Sequence, residues 1–177
     1  MLRALRRIAL LLCVAALGGG ALLTVTTKPK LDDATAAVQH TWNPIREALN
    51  ARFAGLQTVN NGIASPGRPP TSSGALNDAL RSWASASNTS VADQIILANR
   101  LVGLGRRIAA IATHSPRYAA NADVGAGLTT MQRNTPNAND IDNLNAAVDK
   151  ANEIRDGFLR RLVATALDYR DLPHFER

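Results

Sequence analysis

From Val38 onward the large apolar side chains fall at Trp42, Ile45, Leu49, Phe53, Leu56, Val59 and Ile63. Steps of three and four, kept up for about seven turns, describe a helix with one greasy face. A stripe of that length has to be covered by other elements, because a lone helix cannot bury its own face. Pro44 falls early in the run. Either Asn43 caps a helix with Pro44 in its first turn, or Pro44 kinks a helix that began near Asp32.

The remainder supplies the cover. "SPGRPPTSSG" (65–74) reads as a loop, with Ser73 placed to cap a helix in which Leu76, Leu80 and Trp83 share a face. "SNTS" (87–90) is either a break or a weak turn within one long helix. The pattern returns through Leu97, Leu101, Leu104, Ile108 and Ile111, with Arg100, Arg106 and Arg107 turned away, and "THSPRY" (113–118) ends it. Residues 119–140 are less regular, with Val124, Leu128 and Met131 making two turns. A last long helix begins near Asn139 or Asp140, its seam being Ile141, Leu144, Val148, Ala151, Phe158 and Leu162. No period-2 segment of convincing length appears. Only 4% of the chain is aromatic and alanine is abundant, which suits close-packed helices better than sheets. The expected fold is all-α: an antiparallel bundle of three to four long helices over residues 31–177, preceded by an N-terminal segment, 1–30.

That segment reads "MLRALRR" and then twenty uncharged residues, Ile8 to Thr27. As a helix the run spans about 30 Å, the thickness of a bilayer's hydrocarbon core. Arg3, Arg6 and Arg7 ahead of it hold the N-terminus in the cytoplasm and send the bulk of the chain outward. The expectation is a single-pass signal anchor with the lipid bilayer as partner of residues 8–27. The alternative is a secreted protein cut before Gly19, after the small residues of "ALG" (16–18).

The net charge of +6 belongs to this end. Arg3, Arg6, Arg7, Lys28 and Lys30 carry five positive charges, and residues 31–177 hold 15 basic against 14 acidic side chains. A folded basic face is absent from that balance, so a nucleic-acid partner is not expected. The one cysteine, Cys13, lies in the apolar run, so no intrachain disulfide is possible, and no Cys/His cluster has metal-ligand spacing. His40, His114 and His174 stand apart, and no metalloprotease, nucleophile-elbow or phosphate-loop motif occurs. Neither a cofactor nor an enzymatic activity is expected. The competing reading is a hydrolase or other enzyme with a site assembled between helices, where a histidine and carboxylates would converge.

Two asparagines, Asn145 and Asn152, stand seven residues apart in "NLNAAVDKANEI" (143–154) and border the seam of the last helix. There an amide can bond to a neighbouring helix and fix its register; otherwise both are half-solvated with no special task. Arg52 and Arg155 project near the centres of their stripes. Either their stems cover the core while the guanidinium reaches water, or they pair with an acid of another helix, the candidates being Glu47, Asp149 and Glu153.

"NAAVDKANEI" (145–154) resembles the paired-asparagine helix of the LemA family at Asn145, Val148, Asn152 and Ile154, with Leu144 and Ala151 where the family has tyrosines. "TWNPIREALNARFAGLQTV" (41–59) is similar to its tryptophan helix through Trp42, Leu49, Arg52 and Phe53. "ANRLVGLGRRIAAIATHSPRYAAN" (98–121) matches a third stretch at Asn99, Leu101 and Pro116. The tail "GFLRRLVATALDYRDLPHFE" (157–176) matches the closing segment at Phe158, Leu162, Ala164, Pro173, Phe175 and Glu176, with Leu159 and Asp168 replacing a proline and a glycine. The resemblance implies an anchored, outward-facing helical protein of the bacterial cell envelope. It would act as a scaffold or adaptor through a protein partner or self-association, and the resemblance carries no reaction with it.

Overall fold

The computed structural model describes residues 2–64 and 72–176, and the side chains of residues 26–64, 73–118, 120–157, 161, 162 and 164–176. The described residues form helices and no strands. α1 (Leu2–Ala64) is followed by α2 (Ser72–Ser85), α3 (Val91–His114), the single turn α4 (Pro116–Ala119), α5 (Ala122–Arg133), α6 (Ala138–Asp156) and α7 (Phe158–Ala166).

α1 is the spine. Its 63 residues measure about 95 Å at the α-helical rise. Val38, Trp42, Ile45, Leu49, Phe53, Leu56, Val59 and Ile63 are all buried, as their spacing predicts. Pro44 lies inside the helix and neither starts it nor ends it. It sits on the exposed side, opposite the buried Trp42 and Ile45 stripe, so the backbone hydrogen bond it deletes falls where water replaces it.

The other helices run up and down this spine. α2 is antiparallel to it, Asn77 meeting Asn60 and Trp83 meeting Asn50. α3 runs parallel, with Gln94 beside Trp42 and Gly105 beside Leu56. α5 comes back antiparallel, and here the backbones touch. A Cβ on Gly127 would stand 2.7 Å from the Gly55 carbonyl oxygen, and one on Gly55 would stand 2.8 Å from that of Gly127. Only glycine permits that approach. α6 continues the descent, Ala147 and Ile154 facing Ala34 and Asp33 of α1 across a groove. The bundle is therefore four-membered and antiparallel, with α5 and α6 sharing one position.

One boundary left open is decided and several others differ from expectation. The stretch 87–90 is a true break: a 3-10 turn (Ala86–Asn88) precedes Ser90, whose side chain accepts from the Asp93 N–H and caps α3. Ser73 lies within α2 and is buried, so it is not the cap of that helix; of the expected loop 65–74, residues 65–71 lie outside those described. α6 starts one or two residues earlier than predicted, capped by Asn137. It ends at Asp156, because Gly157 is extended (φ −61°, ψ 130°) and starts a new direction. Leu162, which the spacing places on the seam, is consequently on α7 and 59% exposed, while the side chain of Phe158 lies outside those described. Among the described residues no helix is long and apolar enough to cross a membrane, and the expected anchor at 8–27 lies outside the described side chains up to residue 25.

Candidate functional site

The chain does not end with its last helix. α7 closes in a Schellman turn: the Tyr169 N–H donates to the Ala164 carbonyl (2.9 Å) and the Asp168 N–H to that of Thr165 (3.3 Å). Asp168, at the left-handed position of that turn, has φ 58°. This is where the family resemblance places a glycine, the residue that adopts such a φ without strain. Beyond it, residues 169–176 form no helix, and they run back along α6 towards the middle of α1.

Three asparagines hold this tail by its backbone. The Asn152 side chain donates to the Leu172 carbonyl (2.9 Å) and accepts from the Leu172 N–H (3.1 Å). Asn145 does the same for Phe175, donating at 3.2 Å and accepting at 2.9 Å. From the other side Asn99 of α3 donates to the His174 carbonyl (2.8 Å) and accepts from the Glu176 N–H (2.9 Å). A carboxamide offers a donor and an acceptor side by side, which is what one extended residue presents along its edge. The spacing follows from geometry. Seven helical residues rise about 10.5 Å, and three residues of extended or polyproline chain cover about 9–10 Å. The two asparagines seven apart therefore match tail residues three apart. Their partner is the tail and not a neighbouring helix, which corrects the expectation drawn from the seam. The tail has no periodicity, and a periodicity argument cannot see it.

Side chains finish the docking. Phe175 is 4% exposed and packs on Trp42, ring centroids 5.9 Å apart. Trp42 in turn meets Trp83 edge-on at 6.4 Å, and Trp83 meets Phe53 edge-on at 5.1 Å, so Trp42, Phe53, Trp83 and Phe175 form one cluster. Both indole N–H groups are satisfied, Trp42 by Gln94 (2.9 Å) and Trp83 by Asn50 (2.8 Å). Trp83 lies on the apolar face that its spacing with Leu76 and Leu80 predicts, whereas Gln94 is identified by the three-dimensional arrangement alone. Pro173 is half-buried between the clamped residues and has no N–H to leave unpaired. His174 points outward to Asp149, Nε2 to Oδ1 2.8 Å.

The arginines divide. Arg155 is buried and pairs with Asp171 of the tail, with Asp156 3.4 Å away, so its partners are none of the three acids expected. Arg52 is half-buried and donates to Thr135 Oγ1 (3.2 Å), and among the described residues no carboxylate lies within 4 Å of it. Burial, and then the nearby Arg106, hold its pKa below the usual arginine value. It lines a cleft of about 250 Å³ with Arg106, Thr135, Phe175 and Glu176 at the far end of the tail. At the near end the Tyr169 hydroxyl donates to Asp32, which Lys28 also bonds (2.6 Å). Hydrogen bonds from Lys28 and then Tyr169 lower the Asp32 pKa, while the bond to Asp32 raises that of Tyr169.

Of the sequence-selected residues, Trp42, Phe53, Asn99, Asn145, Asn152, Pro173 and Phe175 meet around the tail, and Arg52 and Glu176 stand at its end. His40 and His114 lie apart from it on exposed turns of α1 and α3. Among the described residues no group of three His, Cys, Asp or Glu could hold a metal ion. Comparison with protein-family models, with curated proteins and with solved structures gives no match.

Proposed function

We propose that this chain is a membrane-tethered helical scaffold of the bacterial cell envelope, a divergent relative of the LemA family acting through protein–protein contact. The observation that carries the reading is where the family-like residues lie. Trp42, Asn99, Asn145, Asn152 and Phe175 come from four separate stretches of sequence and serve a single device, the clamping of the tail onto the bundle. Residues selected for a shared pattern that converge on one structural task support a shared architecture.

A second feature supports the tether. α1 runs without interruption from Leu2 to Ala64, so the uncharged run from Ile8 to Thr27 and the spine of the bundle belong to one helix. A leash of that kind is stiff, and it holds the bundle at a fixed distance from the lipid. The buried Gln94 accepts from the Trp42 indole and donates to the Thr89 carbonyl, and the Asn60 amide donates to Asn77.

Fractionation of cells expressing the full chain tests this. The protein should stay in the membrane pellet after a salt wash, and protease added from outside should digest the part beyond residue 31. Recovery in the cytosol would overturn the reading. A mature N-terminus at Gly19 would replace the tether by secretion. A pull-down from membranes that yields neither partner nor self-association would remove the scaffold role.

A further inference from the structure

We propose that the tail beyond Asp168 exchanges between two copies of this chain, residues 172–176 of each filling the asparagine clamps of the other. The proposal deepens the scaffold reading and rests on the tether for a high local concentration of copies. The clamps themselves do not depend on it.

The tail has the properties of a detachable ligand. It is recognised through its backbone by Asn99, Asn145 and Asn152, all carried by α3 and α6, through one buried anchor, Phe175, and through the side-chain contacts of Tyr169 with Asp32, Asp171 with Arg155 and His174 with Asp149. Nothing in those contacts requires that tail and groove belong to the same molecule. The same six amide hydrogen bonds and the same aromatic pocket are available to the tail of a second copy.

What favours exchange is the joint. To fold back on its own bundle, the chain reverses at the Schellman turn, which places Asp168, a residue with a side chain, at φ 58°. Aspartate adopts that region more readily than most L-residues but less readily than glycine, so the closed turn carries a modest strain. An extended joint, running across to a neighbour, releases that strain in both copies at once and leaves every clamp filled. Two large apolar side chains flank the joint in the closed form: Leu167, the residue before it, is 36% exposed, and Leu162 on α7 is 59% exposed. Two joints passing each other in an exchanged pair would give these leucines cover that the single copy lacks.

The test is the oligomeric state of the full chain in detergent, by size-exclusion chromatography with light scattering over a range of concentrations. Wild type should show a dimer that grows with concentration. Asp168→Gly removes the strain from the closed form and should weaken dimerisation roughly 25-fold, about fivefold at each of two joints. Asp168→Val, β-branched and still less tolerant of that φ, should shift the balance towards the dimer. Adding Asn145→Ala and Asn152→Ala to Asp168→Val should abolish the dimer, with helical content unchanged by circular dichroism. Wild type and Asp168→Val both monomeric would overturn the proposal. So would a dimer indifferent to residue 168, or one that survives loss of the clamps, as association through the N-terminal segment would. A monomer that still fractionates with membranes would leave the tether standing while the exchange fails.

Discussion

Replacing Asn145 and Asn152 with alanine should release the tail while leaving the bundle folded. The six amide–backbone hydrogen bonds at Asn99, Asn145 and Asn152 contribute roughly 6 kcal/mol, at about 1 kcal/mol net each. Burying Phe175 adds about 2 kcal/mol. Against this, fixing the backbone of residues 172–176 costs about 5–10 kcal/mol. The two sides nearly cancel, so the docked tail is held by a narrow margin. Asn145→Ala alone removes two bonds, about 2 kcal/mol, and should raise the open-to-docked ratio about 30-fold. The double variant removes four bonds, exceeds the margin and leaves the tail free. Trypsin cleavage after the exposed Arg170, followed by mass spectrometry at low protease, reads that open fraction directly. Asn143→Ala, exposed on the same helix, is the control. A double variant cut no faster than this control would refute the clamp reasoning.

Gly127→Ala should destabilise the bundle by about 1–3 kcal/mol, because its Cβ would meet backbone atoms of α1, whereas Gly103→Ala, with open space around it, should stabilise by roughly 0.5–1 kcal/mol; thermal melts of the pair check the opposite signs. Asp171→Asn should cost about 1 kcal/mol by leaving the buried Arg155 with Asp156 alone, and Arg155→Met should be nearly neutral in the same urea titrations. The contact between Tyr169 and Asp32 should hold over a wide pH window. The raised tyrosine contributes fully below its ordinary value near ~10 and is lost as pH rises through the folded value. The lowered carboxyl contributes above its ordinary value near ~4 and is lost as pH falls through the folded value. Ultraviolet titration should place the Tyr169 phenol above the ordinary tyrosine range, and Asp32→Asn should bring it down; no movement would remove the contact.

What could be read from the sequence was whatever repeats with the helix. The α1 stripe and the seam of α6 as far as Ala151 are buried where spacing puts them, because burial of a periodic face is a local property of one element. The contacts between elements were not legible in that way. Gly55 and Gly127 stand 72 residues apart, and nothing local marks either as the place where two backbones touch. The acid beside Arg155 lies in the aperiodic tail, at Asp171, where helical spacing offers no candidate. Gly157 stops α6 although the apolar spacing runs on through Phe158 and Leu162, because the pattern registers side chains and the break is in the backbone. The spacing of the asparagines marks them as unusual but carries no sign of their partner: they bind peptide groups, which every residue of the chain carries alike.

The most direct measurement is hydrogen exchange, residue by residue, at the amides of Leu172, Phe175 and Glu176 in the intact protein. No helix holds these three, and each N–H has an asparagine side-chain oxygen as its acceptor. The clamped tail predicts protection well above that of an unstructured peptide, falling at Leu172 in Asn152→Ala and at Phe175 in Asn145→Ala. Exchange at free-peptide rates in the wild type would contradict it.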